Sequence, residues 1–220
     1  MSSDSRRMPL LLTFYRHYLD NQDLAVFLRK VAQGYSQGTL QRLAEHGECQ
    51  VRRGAVLALG QLGDYDANPA LGRALQDSDR TVRTLAENAI RIVWTRAGNE
   101  QHRQELAVVM RLNVARRYQE ALQRAGDLIQ KAPWVAEAWN QRAIAHFALA
   151  RYSDSIRDCH QALEINPYHF AAASGMGQAY LQLNSPMLAL ESFRRALGLN
   201  RDLEGVRAQV ERLSRILKDK

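Results

Sequence analysis

The chain has 220 residues, of which 46% are hydrophobic and 24% charged, and this balance excludes a disordered or low-complexity chain. Its formal net charge is +7, but acidic and basic residues alternate along the chain, unlike the single basic stripe of most nucleic-acid binders. No run of about 20 apolar residues and no signal peptide is recognisable, so we expect a cytoplasmic protein that does not enter a membrane.

The first predicted elements are two amphipathic helices, Leu10–Leu19 and Leu24–Tyr35. The polar residues between them end with Asp23, a residue type that favours the start of a helix. Because both segments have an apolar face but no clear repeat pattern, we interpret them as a degenerate first unit that caps a helical array.

Two segments that begin with Val-Arg, at Val51 and Val82, then repeat each other along the chain. An acidic residue precedes each of them by three positions, Glu48 in the first and Asp79 in the second. Apolar residues recur at helical spacing after each Val-Arg pair. Each unit therefore predicts a short helix, a turn and a longer helix with one apolar face.

Over residues 38–96 this pattern resembles the HEAT-like repeats of the phycobilisome-lyase type. The resemblance implies that Glu48 and Asp79 pair with neighbouring arginines and link one repeat to the next, which is a structural role. Phycobilin lyase activity is the one enzymatic role that this resemblance could suggest. That activity would rest on analogy of fold alone, because such repeats are far more widespread than the activity.

The second half of the chain has a different period. Ala121, Ser155 and Ala189 are equally spaced, and Pro133 and Pro167 are separated by the same interval. The small residues predict close helix crossings, where a bulky side chain would not fit between the two backbones. The period divides this half into three windows of one helix pair each, which are 102–135, 136–169 and 170–203.

These windows resemble the tetratricopeptide (TPR) family, whose first helices carry a small residue at the close crossing. In this chain Ala143 and Gly177 would take that position. The whole chain is therefore predicted to be an all-α solenoid of stacked antiparallel helix pairs, a right-handed superhelix. The predicted domains are HEAT-like repeats with the degenerate cap over 1–98, about three TPR repeats over 99–202, and a C-terminal capping helix over 203–220.

No catalytic or metal-binding motif is recognisable in the chain. The six histidines form no His-x-x-x-His pair, and no glycine-rich phosphate loop or nucleophile motif is present. We therefore expect a protein that is not an enzyme and that uses no metal, cofactor or small-molecule substrate.

A binding scaffold for another protein is the favoured function, with a peptide segment or a helix of the partner held in a groove lined by the first helices of the TPR pairs. The amide groups expected there can pair with the backbone of a peptide. The predicted contacts are Glu137, Asn140, Gln141, Ile144, Ala148, Ser174, Gln178 and Gln182.

The best-known TPR domains grip a terminal carboxylate with Lys, Asn and Arg, and this chain does not carry that set. The corresponding positions hold Leu106, Met110, Gln141, Ala171 and Gly175. We therefore expect a peptide held by amides and apolar contacts.

The alternative function is nucleic-acid binding through an arginine-bearing face of the HEAT-like half, whose affinity would fall steeply with salt. The candidate residues are Arg52, Arg53, Arg80, Arg83, Arg91 and Arg96. A third interpretation, a structural or self-assembling element, also stays open, because the apolar segment Pro9–Leu19 could pair with another copy.

Overall fold

The protein is described here by a computed structural model that covers residues 9–218. Within that range it contains thirteen α-helices, one short 3-10 turn and no β-strand, as expected for an all-α fold. The contacts divide the chain into two compact units, one up to Val93 and one from Trp94 onward. No helix of the described range is long and apolar enough to span a bilayer.

The first unit begins with two helix pairs. Its helices are α1 (Leu10–Asn21), α2 (Leu24–Gly34), α3 (Gln37–His46), α4 (Cys49–Leu62), α5 (Asn68–Ala74) and α6 (Arg80–Trp94), whose last residue belongs to the second unit. The side chain of Asp23 accepts a hydrogen bond from the Val26 backbone N–H at 3.0 Å, so Asp23 starts α2 as predicted. Fully buried side chains such as Phe27, Leu59 and Leu71 form the core of this unit.

One close helix approach in the first unit depends on a glycine. A Cβ atom at Gly60 in α4 would lie 2.5 Å from the Cβ and 3.0 Å from the Cα of Ala89 in α6. Ala89 itself is buried, so the two helices leave no room for a larger residue at either position. Gly60 is therefore required for the close packing of α4 against α6.

The second unit repeats its helices with the period seen in the sequence. Helices α8, α10 and α12 begin at Tyr118, Tyr152 and Pro186, at the same spacing as Ala121, Ser155 and Ala189. The helices are α7 (Glu100–Val114), α8 (Tyr118–Lys131), α9 (Ala136–Ala148), α10 (Tyr152–Ile165), α11 (Phe170–Gln182), α12 (Pro186–Leu199) and α13 (Glu204–Lys218). The predicted stack of antiparallel helix pairs is therefore confirmed within this unit.

The small residues occupy the crossings that the period predicted. Ala121, Ser155 and Ala189 are at most 2% exposed. At Gly177, a Cβ atom would lie 2.6 Å from the ring of Phe193, which is fully buried. Close contact between paired helices therefore requires these side chains to be small.

The turns within the three pairs share one backbone conformation. Arg116, Ala150 and Asn184, which recur with the same period, have φ angles of 60°, 58° and 52°. This left-handed region favours glycine or asparagine, and only Asn184 is of a favoured type. The repeated geometry confirms that all three pairs close in the same way.

Candidate functional site

A cavity of about 190 Å³ opens between α9 and α11 and reaches down to α10. Three of the predicted peptide contacts, Asn140, Ile144 and Gln178, are among its lining residues. The full set is Asn140, Ala143, Ile144, Phe147, Ser155, Cys159, Ala171, Gly175 and Gln178. The lining is mainly apolar, with amide groups from Asn140 and Gln178, which matches the chemistry expected of a peptide groove.

The cavity exists because two positions of α11 carry very small residues. A Cβ atom at Gly175 would reach only ordinary contact distance, 3.6 Å from the Sγ of Cys159. One repeat earlier in the chain, the position of Ala171 is held by Glu137 and that of Gly175 by Gln141. Those larger side chains fill the equivalent space with hydrogen bonds, so an open cavity is left at α11.

Glu137 and Gln141 form a buried polar network with Asn140. Glu137 is 6% exposed and Gln141 is 8% exposed. Glu137 Oε1 accepts hydrogen bonds from the side-chain amides of Gln141 at 2.6 Å and Asn140 at 3.2 Å. The Asn113 amide in α7 donates to the backbone and side-chain oxygens of Gln141 at 2.9 and 2.8 Å. The side chains of Glu137 and Gln141 thus bond within the protein, whereas Asn140 reaches the cavity.

His169 completes this network, and the sequence pattern did not identify it. The residue is fully buried, and its Nε2 lies 2.8 Å from Glu137 Oε2. Its Nδ1 accepts a hydrogen bond from the Ala172 N–H at 3.1 Å, which caps α11. The ring also stacks on Trp94, with centroids 4.0 Å apart and planes 14° from parallel. The sequence does contain one signal for His169. It is a polar residue at a position that is apolar one period earlier, at Val135, and one period later, at Leu203.

These bonds fix the charges in the network. Since Nδ1 of His169 is an acceptor, the proton lies on Nε2, and the imidazole is the neutral tautomer that donates to Glu137. Burial opposes ionisation of Glu137 most strongly. The hydrogen bonds that Glu137 accepts from His169, Gln141 and Asn140 outweigh it and hold the pKa of Glu137 below its ordinary value. A buried negative charge therefore lies one hydrogen bond away from the cavity residue Asn140.

The other predicted contacts extend along the same two helices. Ser174 and Gln182 lie one turn before and one turn after Gln178, so the three share one face of α11. Ala148 lies one turn after Ile144 at the end of α9 and is exposed. These three residues belong to the two helices that form the cavity, but they do not line it.

The arginines of the alternative anion site are largely engaged in the first unit. Arg52 forms a two-bond pair with Asp77, at 2.6 and 2.8 Å, and Arg53 forms one with Asp79, at 2.8 and 2.6 Å. The predicted ladder therefore exists, but Asp77 and not Glu48 provides its first acid. The carboxylate of Glu48 makes no hydrogen bond at the start of α4.

The Arg53 guanidinium, as the main cause, holds the pKa of Asp79 well below its usual range. Asp79 also accepts from the Val82 N–H at 2.9 Å, so it both pairs with α4 and caps α6. Arg83 donates to the carbonyl oxygens of Asp77 and Ser78, and Arg91 pairs with Glu87. Arg96 also has a partner within the protein, and Arg80 is exposed. These bonds occupy most of the charge that a phosphate would need.

The described residues contain no cluster of three or more His, Cys, Asp or Glu side chains placed to hold a metal ion. His146, the histidine closest to such an arrangement, lies 3.7 Å from Asp158 and 3.9 Å from Asp154. Burial, as the main cause, lowers its pKa. Asp158 is already held by a two-bond pair with Arg142 at 2.7 Å, so this group stabilises the helix pair.

Family models match most of this architecture. The model described as HEAT repeats matches residues 36–125, and two models described as tetratricopeptide repeat match residues 136–169 and 173–203. The HEAT-like repeats and the second and third TPR windows predicted from the sequence are thereby confirmed, whereas most of the first window, 102–135, lies within the HEAT match.

Two curated relatives are 30% identical to this chain. A TPR repeat-containing protein of Rhizobium etli matches over 112 residues, which are 51% of this chain and 55% of that protein. The Hsp70-Hsp90 organizing protein of Triticum aestivum matches over 94 residues, 43% of this chain and 16% of that protein. The match thus spans about half of the first relative and a smaller part of the second.

Two solved structures are also similar. The first TPR of Spaghetti (RPAP3), bound to the HSP90 peptide SRMEEVD, is 22% identical with a TM-score of 0.49, over 52% of this chain and 94% of that one. The TPR2AB domain of yeast Sti1, in an HSP90 complex, is 16% identical with a TM-score of 0.48, over 93% of this chain and 97% of that one.

Proposed function

We propose that this chain, which carries HEAT repeats followed by tetratricopeptide repeats, is a non-enzymatic interaction scaffold. It holds a peptide segment or a helix of a partner protein in the cavity between α9 and α11. The observation that carries this proposal is the cavity itself. It is open, mainly apolar and bordered by amide groups that the protein does not fully use. One relative is named for organizing Hsp70 and Hsp90, which supports a scaffold role.

The HEAT-like half has a structural role in this proposal. Its arginines are largely paired with acids or backbone carbonyl groups, as described above. Nucleic-acid binding would have to break several of these pairs, whereas a peptide in the cavity between α9 and α11 displaces only water. This comparison favours the protein partner.

Filling the cavity should remove partner binding without unfolding the protein. In Gly175→Leu the new side chain enters the space between α9 and α11, and replacement of a helical glycine favours the helix by up to about 1 kcal/mol. Because an apolar anchor is worth about 1.5–3 kcal/mol when buried, we expect a loss of at least about tenfold in affinity. The measurement is a pull-down from native lysate with immobilised wild type and variant, at low and moderate salt.

Gly126→Leu is the matched control. Gly126 lies in the middle of α8, and its nearest neighbour to a new Cβ is Arg142 Nη1 at 4.0 Å, so this variant also replaces a helical glycine with leucine outside the cavity. One protein band lost from Gly175→Leu and kept by Gly126→Leu, at both salt concentrations, supports the proposal. Bands retained by both variants, or nucleic acid recovered only at low salt, would move binding to another surface.

A further inference from the structure

The cavity between α9 and α11 carries no charge of its own. None of the residues that line it in the described part of the chain has an ionisable side chain other than Cys159, and burial raises the pKa of that thiol to about 12, so it is neutral. A carboxylate placed there would lose its water without gaining a cation, which is strongly unfavourable. The cavity therefore suits an uncharged group.

Its size suits one side chain. The volume is about 190 Å³, and an apolar cavity of about 150 Å³ is large enough to hold benzene. Ile144 and Phe147 in α9 form apolar walls, and Ala171 and Gly175 in α11 keep the space open. One leucine, methionine or phenylalanine side chain would fill it, while its backbone stays outside.

The two amides that border the cavity differ in what they offer. Asn140 donates its side-chain N–H to Glu137, so its side-chain oxygen, which has no partner among residues 9–218, is an acceptor for a ligand. The side chain of Gln178 makes no hydrogen bond within the described residues, so both its donor and its acceptor are available. An N–H and a C=O group on the ligand, as in the backbone of an internal peptide segment, would satisfy both amides.

The buried charge of Glu137 adds a preference of sign. Glu137 Oε1 lies 3.2 Å from Nδ2 of the cavity residue Asn140, and the hydrogen-bond partner of Glu137, His169, is neutral. No lining residue of the cavity, among those the structure describes, is a cation that would cancel this charge. A negative group on the ligand would be repelled, and this repulsion is stronger in a buried site than in water.

We propose, on the basis of the function proposed above, that the cavity between α9 and α11 selects an internal peptide segment by a single uncharged apolar side chain. The backbone N–H of that segment donates to the side-chain oxygen of Asn140, and the side-chain N–H and C=O of Gln178 pair with a C=O and an N–H of its peptide groups. Acidic residues and free terminal carboxylates are excluded. The partner is therefore recognised by an aliphatic or aromatic anchor within its chain, not by an acidic tail.

Blocked pentapeptides test this selection directly. The probes are acetyl-Gly-Ser-X-Ser-Gly-amide with X as leucine, phenylalanine, lysine or glutamate, added at millimolar concentration to the full chain labelled with 15N. We expect the leucine and phenylalanine probes to shift the backbone resonances of Ile144, Gly175 and Gln178, and to bind at least about tenfold more tightly than the glutamate probe. In Gly175→Leu these shifts should disappear, whereas Gly126→Leu should keep them.

The outcomes separate this inference from the proposed function. Equal binding of the leucine and glutamate probes, or no shift at the cavity with any probe, would overturn the apolar anchor. If the pull-down still lost its protein band in Gly175→Leu, the scaffold function would stand without this anchor. Tighter binding of the glutamate probe would show instead that the cavity accepts acidic segments.

Discussion

Replacing His169 with alanine is expected to lower the free energy of unfolding of the second unit by about 3–5 kcal/mol. A buried carboxylate that loses a hydrogen-bond donor costs about 1–3 kcal/mol or more, and a lost helix cap and a lost ring contact each add about 1 kcal/mol. Here the substitution leaves Glu137 without its donor at 2.8 Å and removes the cap on the Ala172 N–H. It also removes the ring that stacks on Trp94.

Tryptophan fluorescence during urea unfolding measures this effect in the correct part of the chain. The three tryptophans, Trp94, Trp134 and Trp139, all belong to the second unit. His160→Ala is the matched control, since His160 is exposed on α10, and we expect a change within about 0.5 kcal/mol there. In His169→Ala/Glu137→Ala the cost should be clearly less than the sum of the single costs, because the unpaired charge is gone. Additive costs would contradict the pairing.

Gly60→Ala is expected to destabilise the first unit by about 1–3 kcal/mol, although alanine is a far better helix former than glycine. The added Cβ would lie 2.5 Å from the Cβ of Ala89, so α4 and α6 must move apart. Overpacking of this kind costs more than the gain of about 1 kcal/mol in helix propensity. Urea unfolding followed by circular dichroism at the helical band measures the change.

The control and the rescue come from the same unit. At Gly38 in α3 a new Cβ meets nothing within 4 Å, so Gly38→Ala should leave the stability unchanged or raise it slightly. Ala89→Gly should restore part of the loss in the Gly60→Ala background, since it removes the Cβ atom that the new side chain meets. Equal stability of Gly60→Ala and wild type would show that the two helices are not in this contact.

The helix pairs of both units could be predicted because their signals recur along the chain. Small residues such as Ala121, Ser155 and Ala189 are required wherever two helices cross closely, and their spacing gives the period directly. The helices of the second unit begin at the same spacing. A periodic requirement of packing is thus visible in one sequence without any alignment.

The polar network could not be predicted, because its meaning depends on contacts between distant residues. Glu137 and Gln141 have residue types and helix positions suited to a peptide groove. The period marks His169 as unusual, but it does not show that His169 and Asn113 bind these two residues. Likewise, Glu48 aligns with Asp79, yet Asp77 is the acid that reaches Arg52. Geometry, not residue type, decides which of several acids forms a pair.

The cavity was only partly predictable. Asn140, Ile144 and Gln178 were identified as groove residues, whereas Ala171 and Gly175 were noted only because they do not form a carboxylate clamp. An open space results from the absence of side chain atoms at these two positions. Whether neighbouring residues then fill that space depends on their packing, which a sequence pattern does not contain.

Site-specific photo-cross-linking tests the central claim, that the partner lies against the cavity between α9 and α11. A photoreactive phenylalanine derivative is placed at Ile144, which borders the cavity, or at Ile216 in α13 as the control. The two side chains are equally accessible, at 42% and 43% exposed. We expect the partner captured in the pull-down to cross-link from position 144 and not from position 216. Cross-linking from position 216 alone would place the partner on the C-terminal helix and would contradict binding at the cavity.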